Sequence, residues 1–224
     1  MVERFFAVEQ SLSAEPALAL LSGPPSCGKT SLLFQFAINC ASETSSGEVI
    51  FICNKRRLES KPPFLSQGID PTSDVFQRIQ MKYVEDEDGI KKYFAAFHLH
   101  ESFPIAVIID DFADFFSERT CQNRYANARG RDLAMVRTLA LCKDAIAHAK
   151  GACKLLLADT HQGDNPRLLF IYKRWIHSIF TIQGDGSGSF IVSGSANPST
   201  RLVRRAAKYS VALQYLVFEE MIDK

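Results

Sequence analysis

The stretch that most constrains the fold of this chain is Gly-Pro-Pro-Ser-Cys-Gly-Lys-Thr at residues 23–30. It matches the pattern G-x-x-x-x-G-K-[S/T], which is typical of a phosphate-binding loop (P-loop). Such a loop turns successive backbone N–H groups towards one phosphate, and glycine adopts the required backbone shapes at little cost. In this pattern Lys29 places its charge against the β- and γ-phosphates of a nucleotide, and the Thr30 hydroxyl is a ligand for Mg²⁺. The predicted nucleotide-binding residues are Gly23, Pro24, Pro25, Ser26, Cys27, Gly28, Lys29, Thr30 and Ser31.

The residues on either side of this loop provide the setting that it needs. Residues 17–21 are a short apolar run typical of a buried strand, and residues 31–37 predict a helix with a broad apolar face. Strand, loop and helix is the order of a P-loop unit, and the helix that Gly28 opens presents its N-terminal amides to an anion. The alternative is a turn rich in glycine and proline that matches the pattern by chance, and the agreement of motif with context disfavours it.

Length and composition are those of an ordinary globular domain. The chain has 224 residues, of which 46% are hydrophobic and 23% are charged. A formal net charge of +1 predicts no global attraction to nucleic acid or membrane, so any basic site is a local patch. The six cysteines lack C-x-x-C spacing and are expected to be reduced thiols in an intracellular protein. No signal peptide or membrane span is expected, and we interpret residues 1–16 as a lead-in and residues 17–224 as one domain.

Apolar runs that are separated by helical patterns predict an α/β fold. Acids before an apolar pattern at residues 85–97 predict a solvated helix start. The expected buried parallel strands cover residues 17–22, 48–53, 105–109 and 153–159, a hairpin covers 176–183 and 189–193, and a last strand, or alternatively a helix, covers 207–218. We therefore predict a mostly parallel sheet flanked by helices, with antiparallel strands at its C-terminal edge.

The second anchor of the sequence is an apolar run that ends in two acids. Residues 105–109 read Ile-Ala-Val-Ile-Ile and are followed by Asp110 and Asp111. A buried parallel strand presents its carboxyl end to the ligand crevice, so Asp110 suits the role of the acid that holds Mg²⁺ through water. An aspartate that only ends a strand is the alternative interpretation. The predicted metal residues are Thr30 and Asp110.

These features together resemble a RecA-type ATPase core. The resemblance covers residues 17–218 and rests on the P-loop, the Ile-Ile-Asp-Asp strand end, the later strand end at residues 158–160 and the terminal hairpin. A core of this type with almost no N-terminal domain is similar to the recombinase paralogues, and residues 23–37 most resemble the small ATPase subunits of Shu complexes. The resemblance implies a RecA-like P-loop fold, ATP and Mg²⁺ as cofactors, and a role in homologous recombination in the nucleus. It also implies a SWIM-domain zinc-finger protein as partner and contact with a recombinase.

The chain departs from this family at the residue that would act on water. RecA-type ATPases carry a glutamate just after the second strand, where this chain has Lys55. A cation cannot serve as a general base at neutral pH. Asp111 is the alternative base, and it suits a supporting role beside Asp110 equally well. The family's sensing glutamine aligns with Thr160, with Gln162 close by. The predicted catalytic residues are Lys29 and Asp111.

The resemblance further implies two segments that bind single-stranded DNA, one after each of the last two core strands. The matching stretches are a polar loop at residues 117–131 and a connection at residues 160–174. Both combine cations for phosphates with aromatic side chains for base stacking, namely Tyr125 in the first and Phe170 and Tyr172 in the second. A solvated surface is the alternative. The predicted DNA-binding residues are Arg119, Arg124, Arg129, Arg131, Arg167, Lys173 and Arg174.

Three functions remain open at this point. The first is an accessory factor that binds ATP, hydrolyses it slowly and acts on DNA in a hetero-oligomer. The second is an assembly module in which the nucleotide only stabilises the partner-binding surface. The third is a small-molecule P-loop kinase, which would need an acceptor site and an arginine-rich lid, and the sequence shows no distinct lid.

Overall fold

In a computed structural model, the chain forms a mixed β-sheet that has helices on both faces. The structure describes residues 1–6, 17–44, 46–117, 119–125, 127–161, 166–176, 178–194 and 205–223. The strands are β1 (Leu18–Gly23), β2 (Val49–Cys53), β3 (Ile79–Tyr83), β4 (Ala106–Ile109), β5 (Lys154–Thr160), β6 (Ser178–Gly184), β7 (Phe190–Gly194), β8 (Arg205–Ala212) and β9 (Tyr215–Asp223). The helices are α1 (Lys29–Ser42), α2 (Lys55–Ser60), α3 (Glu87–Ala95), α4 (Arg119–Arg124), α5 (Ala128–His148) and α6 (Pro166–Trp175). Short 3₁₀ helices are Val2–Phe5, Asp74–Arg78, Phe97–Leu99 and Phe112–Phe116.

The sheet has a parallel part and an antiparallel part. Across the described residues the strand order is β3-β2-β4-β5-β1-β6-β7-β8-β9. The strands from β3 to β6 in this order are parallel, and β7, β8 and β9 continue the sheet as antiparallel strands. Parallel strands need long crossovers, which the helices supply, whereas short turns join β6 to β7 and β8 to β9. The predicted class, an α/β fold with a mostly parallel sheet and an antiparallel C-terminal edge, is confirmed.

The two faces of the sheet are both covered. In β1, Leu20 belongs to the core formed with helices α3 to α6, whereas Ala19 and Leu21 belong to the core formed with α1. Burial on both faces explains why the central strands appear in the sequence as continuous apolar runs rather than alternating ones. The six cysteines are buried within these layers, and their thiols are free. Within the described ranges, no helix combines the length and the apolar character that a membrane crossing requires.

The first residues of the chain belong to the core that includes α1. Phe5 packs against Phe36 of α1 with ring centroids 5.9 Å apart, and Phe6 packs against Tyr209 of β8 at 5.6 Å. Both phenylalanines are fully buried. The lead-in predicted at residues 1–16 therefore begins with a packed segment. Its residues 7–16 lie outside the described part of the chain.

Three elements differ from the sequence-based expectation. Strand β3 pairs in parallel with β2 at the edge of the sheet, but of its residues only Ile79 is buried, so it lacks the apolar run that signals a strand. Helix α2 occupies part of the exposed basic connection expected after the second strand. The single last strand predicted at 207–218 is wrong, because β8 and β9 form a hairpin around Leu213 and Gln214, whose φ angles are +49° and +64°. Leu213 is 90% exposed, so it does not share a buried face with Tyr209.

The acid run at the start of α3 is a helix start, as predicted, but it is not fully solvated. The Asp86 carboxylate caps α3 by accepting from the backbone N–H groups of Asp88 and Gly89 at 3.1 and 3.3 Å. Glu87, by contrast, is completely buried. The first turn of α3 therefore places one carboxylate inside the protein, where it needs cationic partners.

Candidate functional site

The P-loop lies at the carboxyl end of β1, in the parallel part of the sheet. Ser26 and Gly28 have left-handed backbones, with φ angles of +59° and +80°, and α1 begins directly after Gly28. In the described structure no side chain caps α1, whereas Asn54, Asp86 and Asn127 cap α2, α3 and α5. The first N–H groups of α1 are thus free of a competing side chain, at a helix end that carries partial positive charge.

The Lys29 ammonium lies over the loop. It is only 6% exposed, and its Nζ donates to the carbonyl oxygens of Pro24 at 3.0 Å and Gly23 at 3.4 Å. An ammonium has three donors, so this arrangement leaves one N–H for a ligand on the loop. Gly23 is needed for close packing, because a Cβ there would come within 2.7 Å of the Cys27 sulfur.

Thr30, in the first turn of α1, and Asp110, directly after β4, meet at the end of the sheet, although β5 separates β4 from the strand β1 that leads into the P-loop. The Thr30 hydroxyl donates to Asp110 Oδ2 at 2.8 Å. Asp110 is buried, and its Oδ1 has no hydrogen-bond partner among the described residues. Burial, and after it the charge of Asp111, raises the pKa of Asp110 above its ordinary value. A buried carboxylate oxygen without a partner, next to a hydroxyl, is a pair of hard oxygen donors that fits Mg²⁺.

These two residues would not enclose a cation by themselves. The described part of the chain contains no group of three or more His, Cys, Asp and Glu side chains placed to hold a metal ion. Mg²⁺ retains several water ligands and is commonly bound through one or two protein groups together with substrate phosphates. The Thr30–Asp110 pair therefore suits an ion that arrives with a nucleotide.

Asp111 is held in an unusual backbone conformation beside Asp110. Its φ of +47° lies in the left-handed region, which aspartate tolerates better than most residues. Its Oδ1 accepts a hydrogen bond from the Thr160 hydroxyl at 3.2 Å. Thr160, at the expected place of the sensing glutamine, therefore orients Asp111 across the ends of β4 and β5, and Gln162 lies outside the described residues.

A cavity of about 740 Å³ opens at this edge of the sheet. Its size is within the range of small-ligand sites, roughly 300–1,000 Å³. Residues 25–31 of the predicted binding set line it, and Asp110, Asp111 and Thr160 line its wall beside the P-loop. Residues of α2 and the residues 61–64 that follow it also line the cavity. Residues predicted separately from the sequence thus surround one ligand-sized space.

The segment after β2 contributes an arginine to this cavity. Lys55, at the place of the expected glutamate, has a 60% exposed side chain near Glu59, with Nζ 3.8 Å from the carboxylate, and it does not line the cavity. Asn54 caps α2 by accepting from the Arg57 N–H at 3.3 Å, and Arg57 does line the cavity. Among the described residues of this segment, no carboxylate reaches the position of a general base.

Strand β8 supports the P-loop from the antiparallel part of the sheet. Tyr209 is fully buried, and its hydroxyl donates to the Cys27 carbonyl at 2.7 Å. Val211 packs against Gly28, because a Cβ at Gly28 would come within 2.9 Å of the Val211 side chain. The sequence pattern places Tyr209 and Val211 on one face of a strand, but it does not indicate that this face meets the loop.

A further buried acid, Asp159, lies next to the site. Its Oδ1 accepts from the backbone N–H of Thr160 at 2.8 Å. Burial raises the pKa of Asp159 to about 7. Burial also raises the pKa of the Tyr172 hydroxyl on α6, and the neighbouring Asp159 adds to this shift. Asp159 at the end of β5 therefore lies near the buried Tyr172 hydroxyl of α6, which forms no hydrogen bond among the described residues. The sequence signals only an acid at a strand end.

The first predicted DNA segment is not a loop. Of the arginines predicted there, Arg119 and Arg124 lie on α4, and Arg129 and Arg131 lie on α5. The loop predicted at residues 117–131 is therefore wrong over most of its described length. The position of an arginine on a helix fixes the direction of its side chain. The packing of α4 and α5 therefore decides where these four arginines point.

Arg124 has protein partners of its own. Its guanidinium contacts the buried Glu87 carboxylate at 2.6 Å and lies 3.7 Å from Asp86 and 3.6 Å from Asp88. Lys91 also contacts Glu87, at 3.4 Å. Because a buried carboxylate is costly without a paired charge, Arg124 has a structural role in joining α4 to α3.

The second predicted DNA segment is also mostly helical. Residues 162–165 lie outside the described part, and α6 begins at Pro166, so an irregular connection up to residue 174 is wrong. Tyr172 is buried and cannot stack on a base, whereas Phe170 is 71% exposed. Lys173 and Arg174 are exposed on the same helix, and the Arg167 side chain lies outside the described part.

Comparison with known proteins adds no family to this picture. No model of a known protein family matches the chain, and no curated protein matches its sequence significantly.

Proposed function

We propose that the chain is a RecA-type P-loop ATPase that binds ATP with Mg²⁺ and hydrolyses it slowly. One observation carries the proposal: the Thr30 hydroxyl lies 2.8 Å from an Asp110 oxygen, although the two residues are 80 positions apart in sequence. The P-loop pattern requires that a hydroxyl and a distant acid meet beside the loop lysine, and a chance glycine-rich turn does not require it.

The binding of the triphosphate would use groups that already face the cavity. Lys29 and the first N–H groups of α1 would hold the β- and γ-phosphates. Thr30 would ligate Mg²⁺ directly, and Asp110 would hold it through water. Bound Mg²⁺ supplies neutralisation of the phosphate charge.

Hydrolysis would depend on Asp111. This carboxylate would orient a water molecule and accept its proton while the water oxygen bonds to the γ-phosphorus. The bond from that phosphorus to the β,γ-bridging oxygen breaks, which releases ADP and phosphate. The Thr160 hydroxyl holds the carboxylate in place. Since the segment after β2 supplies no carboxylate base, we expect turnover well below the roughly 1–10³ s⁻¹ of ordinary enzymes.

The cellular role that we propose follows from the resemblance. The chain would be a recombinase-paralogue accessory factor in homologous recombination in the nucleus, paired with a SWIM-domain zinc-finger protein and acting with a recombinase. The P-loop and the antiparallel edge of the sheet support this proposal. Single-stranded DNA would contact the exposed cations of α4, α5 and α6, with Phe170 as a stacking residue. These cations are Arg119, Arg129, Lys173 and Arg174, with the half-buried Arg131 beside them.

One observation favours a second candidate function, that of an assembly module. Lys55 replaces the glutamate that RecA-type enzymes use on water, and it lies outside the cavity. A site that holds ATP without a base from this segment can serve to stabilise the fold and a partner surface. The two candidates share the binding step and differ only in turnover.

Equilibrium binding of a fluorescent ATP analogue tests the step that both candidates share. We expect Mg²⁺-dependent binding by the wild-type chain and loss of most of this affinity in Lys29→Ala. Lys55→Ala is the matched control, because this exposed lysine does not line the cavity. Equal affinity of wild type and Lys29→Ala would overturn the P-loop assignment. Binding without any phosphate release would favour the assembly module.

A further inference from the structure

Arg57 and Asp114 form an ion pair at the wall of the nucleotide cavity. The guanidinium Nη1 contacts Asp114 Oδ2, and both residues line the cavity. Arg57 lies on α2, which follows β2, and Asp114 lies on the 3₁₀ helix Phe112–Phe116, which follows β4. The pair therefore spans the gap between the carboxyl ends of two neighbouring parallel strands.

The position of this pair relative to the site is well defined. The Asp110 N–H donates to the Ile52 carbonyl at 3.0 Å. The pairing of β2 with β4 therefore extends as far as Asp110, the acid that fits Mg²⁺. The Asp114 N–H donates to the Asp111 carbonyl at 3.0 Å, which places Asp114 one 3₁₀ turn beyond the proposed base. The Arg57 guanidinium therefore contacts the 3₁₀ turn that directly follows the proposed base Asp111, and Arg57 and Asp111 line the same cavity.

The ion pair between Arg57 and Asp114 can dissociate at little cost. The side chains of Arg57 and Asp114 are 40% and 43% exposed, and ion pairs at such exposure are weakly held. A terminal phosphate carries more charge than one carboxylate and offers oxygens that match the planar fork of a guanidinium. A triphosphate would therefore compete effectively with Asp114 for Arg57.

We propose that Arg57 senses the γ-phosphate: it pairs with Asp114 when that phosphate is absent and binds the phosphate when ATP occupies the cavity. The proposal rests on the proposed nucleotide site and names its specificity, which is for nucleoside triphosphate over diphosphate. Where the resemblance expects a carboxylate that acts on water, the chain thus supplies a cation that holds the phosphate. A cation that binds the γ-phosphate equally well in the ground state and in the transition state strengthens retention of ATP without accelerating its hydrolysis.

The first test compares the affinities for Mg²⁺–ATP and Mg²⁺–ADP in Arg57→Gln. Loss of a charge-assisted contact to the γ-phosphate should lower ATP affinity by about tenfold and leave ADP affinity nearly unchanged. Arg56→Gln is the matched control, because Arg56 is the exposed neighbour of Arg57 and carries the same charge but does not line the cavity. Equal losses for ATP and ADP in Arg57→Gln, or no loss for either, would overturn the proposal.

The second test uses Asp114→Asn, alone and combined with Arg57→Gln. Because Asp114 competes with the phosphate for Arg57, its neutralisation should raise the ratio of ATP to ADP affinity when Arg57 is present. In the Arg57→Gln background, Asp114→Asn should leave the ratio of ATP to ADP affinity unchanged. The comparison is a double-mutant cycle, which isolates the coupling of the two residues. If Asp114→Asn changes the ratio equally in both backgrounds, the pair is only a structural link.

Failure of the sensor and failure of the nucleotide site give different results. If the site itself is wrong, the wild-type chain binds neither nucleotide and Lys29→Ala changes nothing. If only the sensor is wrong, both nucleotides bind, Lys29→Ala abolishes the binding of both, and the Arg57 variants retain the wild-type ratio. Thermal unfolding of each variant, followed by circular dichroism, shows that the fold is intact.

Discussion

The Tyr209 hydroxyl donates a 2.7 Å hydrogen bond to the Cys27 carbonyl, so a strand of the antiparallel edge holds the phosphate-binding loop. The two residues are 182 positions apart and are both fully buried. The loop around Cys27 contains left-handed backbone at Ser26 and Gly28, a conformation that non-glycine residues adopt at a cost. An anchored carbonyl beside Gly28 helps to maintain this shape before a ligand binds.

We expect Tyr209→Phe to destabilise the chain and weaken nucleotide binding. The substitution keeps the ring but leaves the buried Cys27 carbonyl without its partner, which costs about 1–3 kcal/mol. Urea unfolding measures the stability, and binding of a fluorescent ATP analogue measures the effect on the loop. Tyr215→Phe is the matched control, because Tyr215 is 47% exposed in the same hairpin. Identical behaviour of the two variants would show that the bond to Cys27 does not support the loop.

We expect Asp111→Asn to abolish the residual ATP hydrolysis while ATP still binds. An amide cannot accept the proton of the attacking water, but it retains the size of the carboxylate and an oxygen for the Thr160 hydroxyl. Phosphate release under single-turnover conditions measures the chemistry separately from binding. Turnover at the wild-type rate in this variant would mean that the base lies elsewhere and that Asp111 only supports Asp110.

Asp159 should make the stability of the chain depend on pH. Its pKa is raised by burial to about 7 in the folded chain, so the protonated form is the one that the fold favours. The stabilisation is fully present below the ordinary pKa of about 3.9 and is lost as the pH rises through the folded value. Asp159→Asn imitates the protonated form, so it should raise the free energy of unfolding by about 2–4 kcal/mol at a pH of about 8 and change it little at a pH of about 4.

Urea unfolding of wild type and Asp159→Asn across this pH range tests the expectation. Asp144→Asn serves as the control, because Asp144 is an exposed aspartate on α5. A constant difference between wild type and Asp159→Asn at all pH values would contradict the proposed burial of a titrating carboxyl at this position.

Substitution of the arginines on α4 and α5 should have one of two effects, on DNA affinity or on stability. Replacing the exposed Arg119 and Arg129 by alanine should lower affinity for single-stranded DNA, and each lost phosphate contact should reduce the logarithmic salt slope by about 0.7. Arg124→Ala should instead lower the free energy of unfolding, because it removes a partner of the buried Glu87. Fluorescence anisotropy at several salt concentrations and urea unfolding measure the two effects. An unchanged slope in Arg119→Ala/Arg129→Ala would move any DNA contact to α6 or to a partner protein.

The sequence by itself determined the elements whose signals are local. The pattern at residues 23–30, the apolar runs before and after it, and the run that ends at Asp110 all predict their own structure, because hydrophobic runs and glycine positions limit what a short segment can form. The same signals predicted the α/β class and the antiparallel edge. They also predicted that residues 25–31 and Asp110 belong to one site, since parallel strands that follow crossovers end at the same edge of a sheet.

Only the tertiary structure decided which distant side chains meet. Strand β3 exists because it pairs with β2, not because its own residues favour a strand, and α4 and α6 replace loops because their apolar residues pack into the core. The contacts of Tyr209 with Cys27 and of Arg57 with Asp114 depend on strand order and on the direction of each side chain. A local pattern can indicate a hairpin such as β6–β7, but it does not specify which strands separated by long crossovers become neighbours, because that choice depends on the burial of the whole chain.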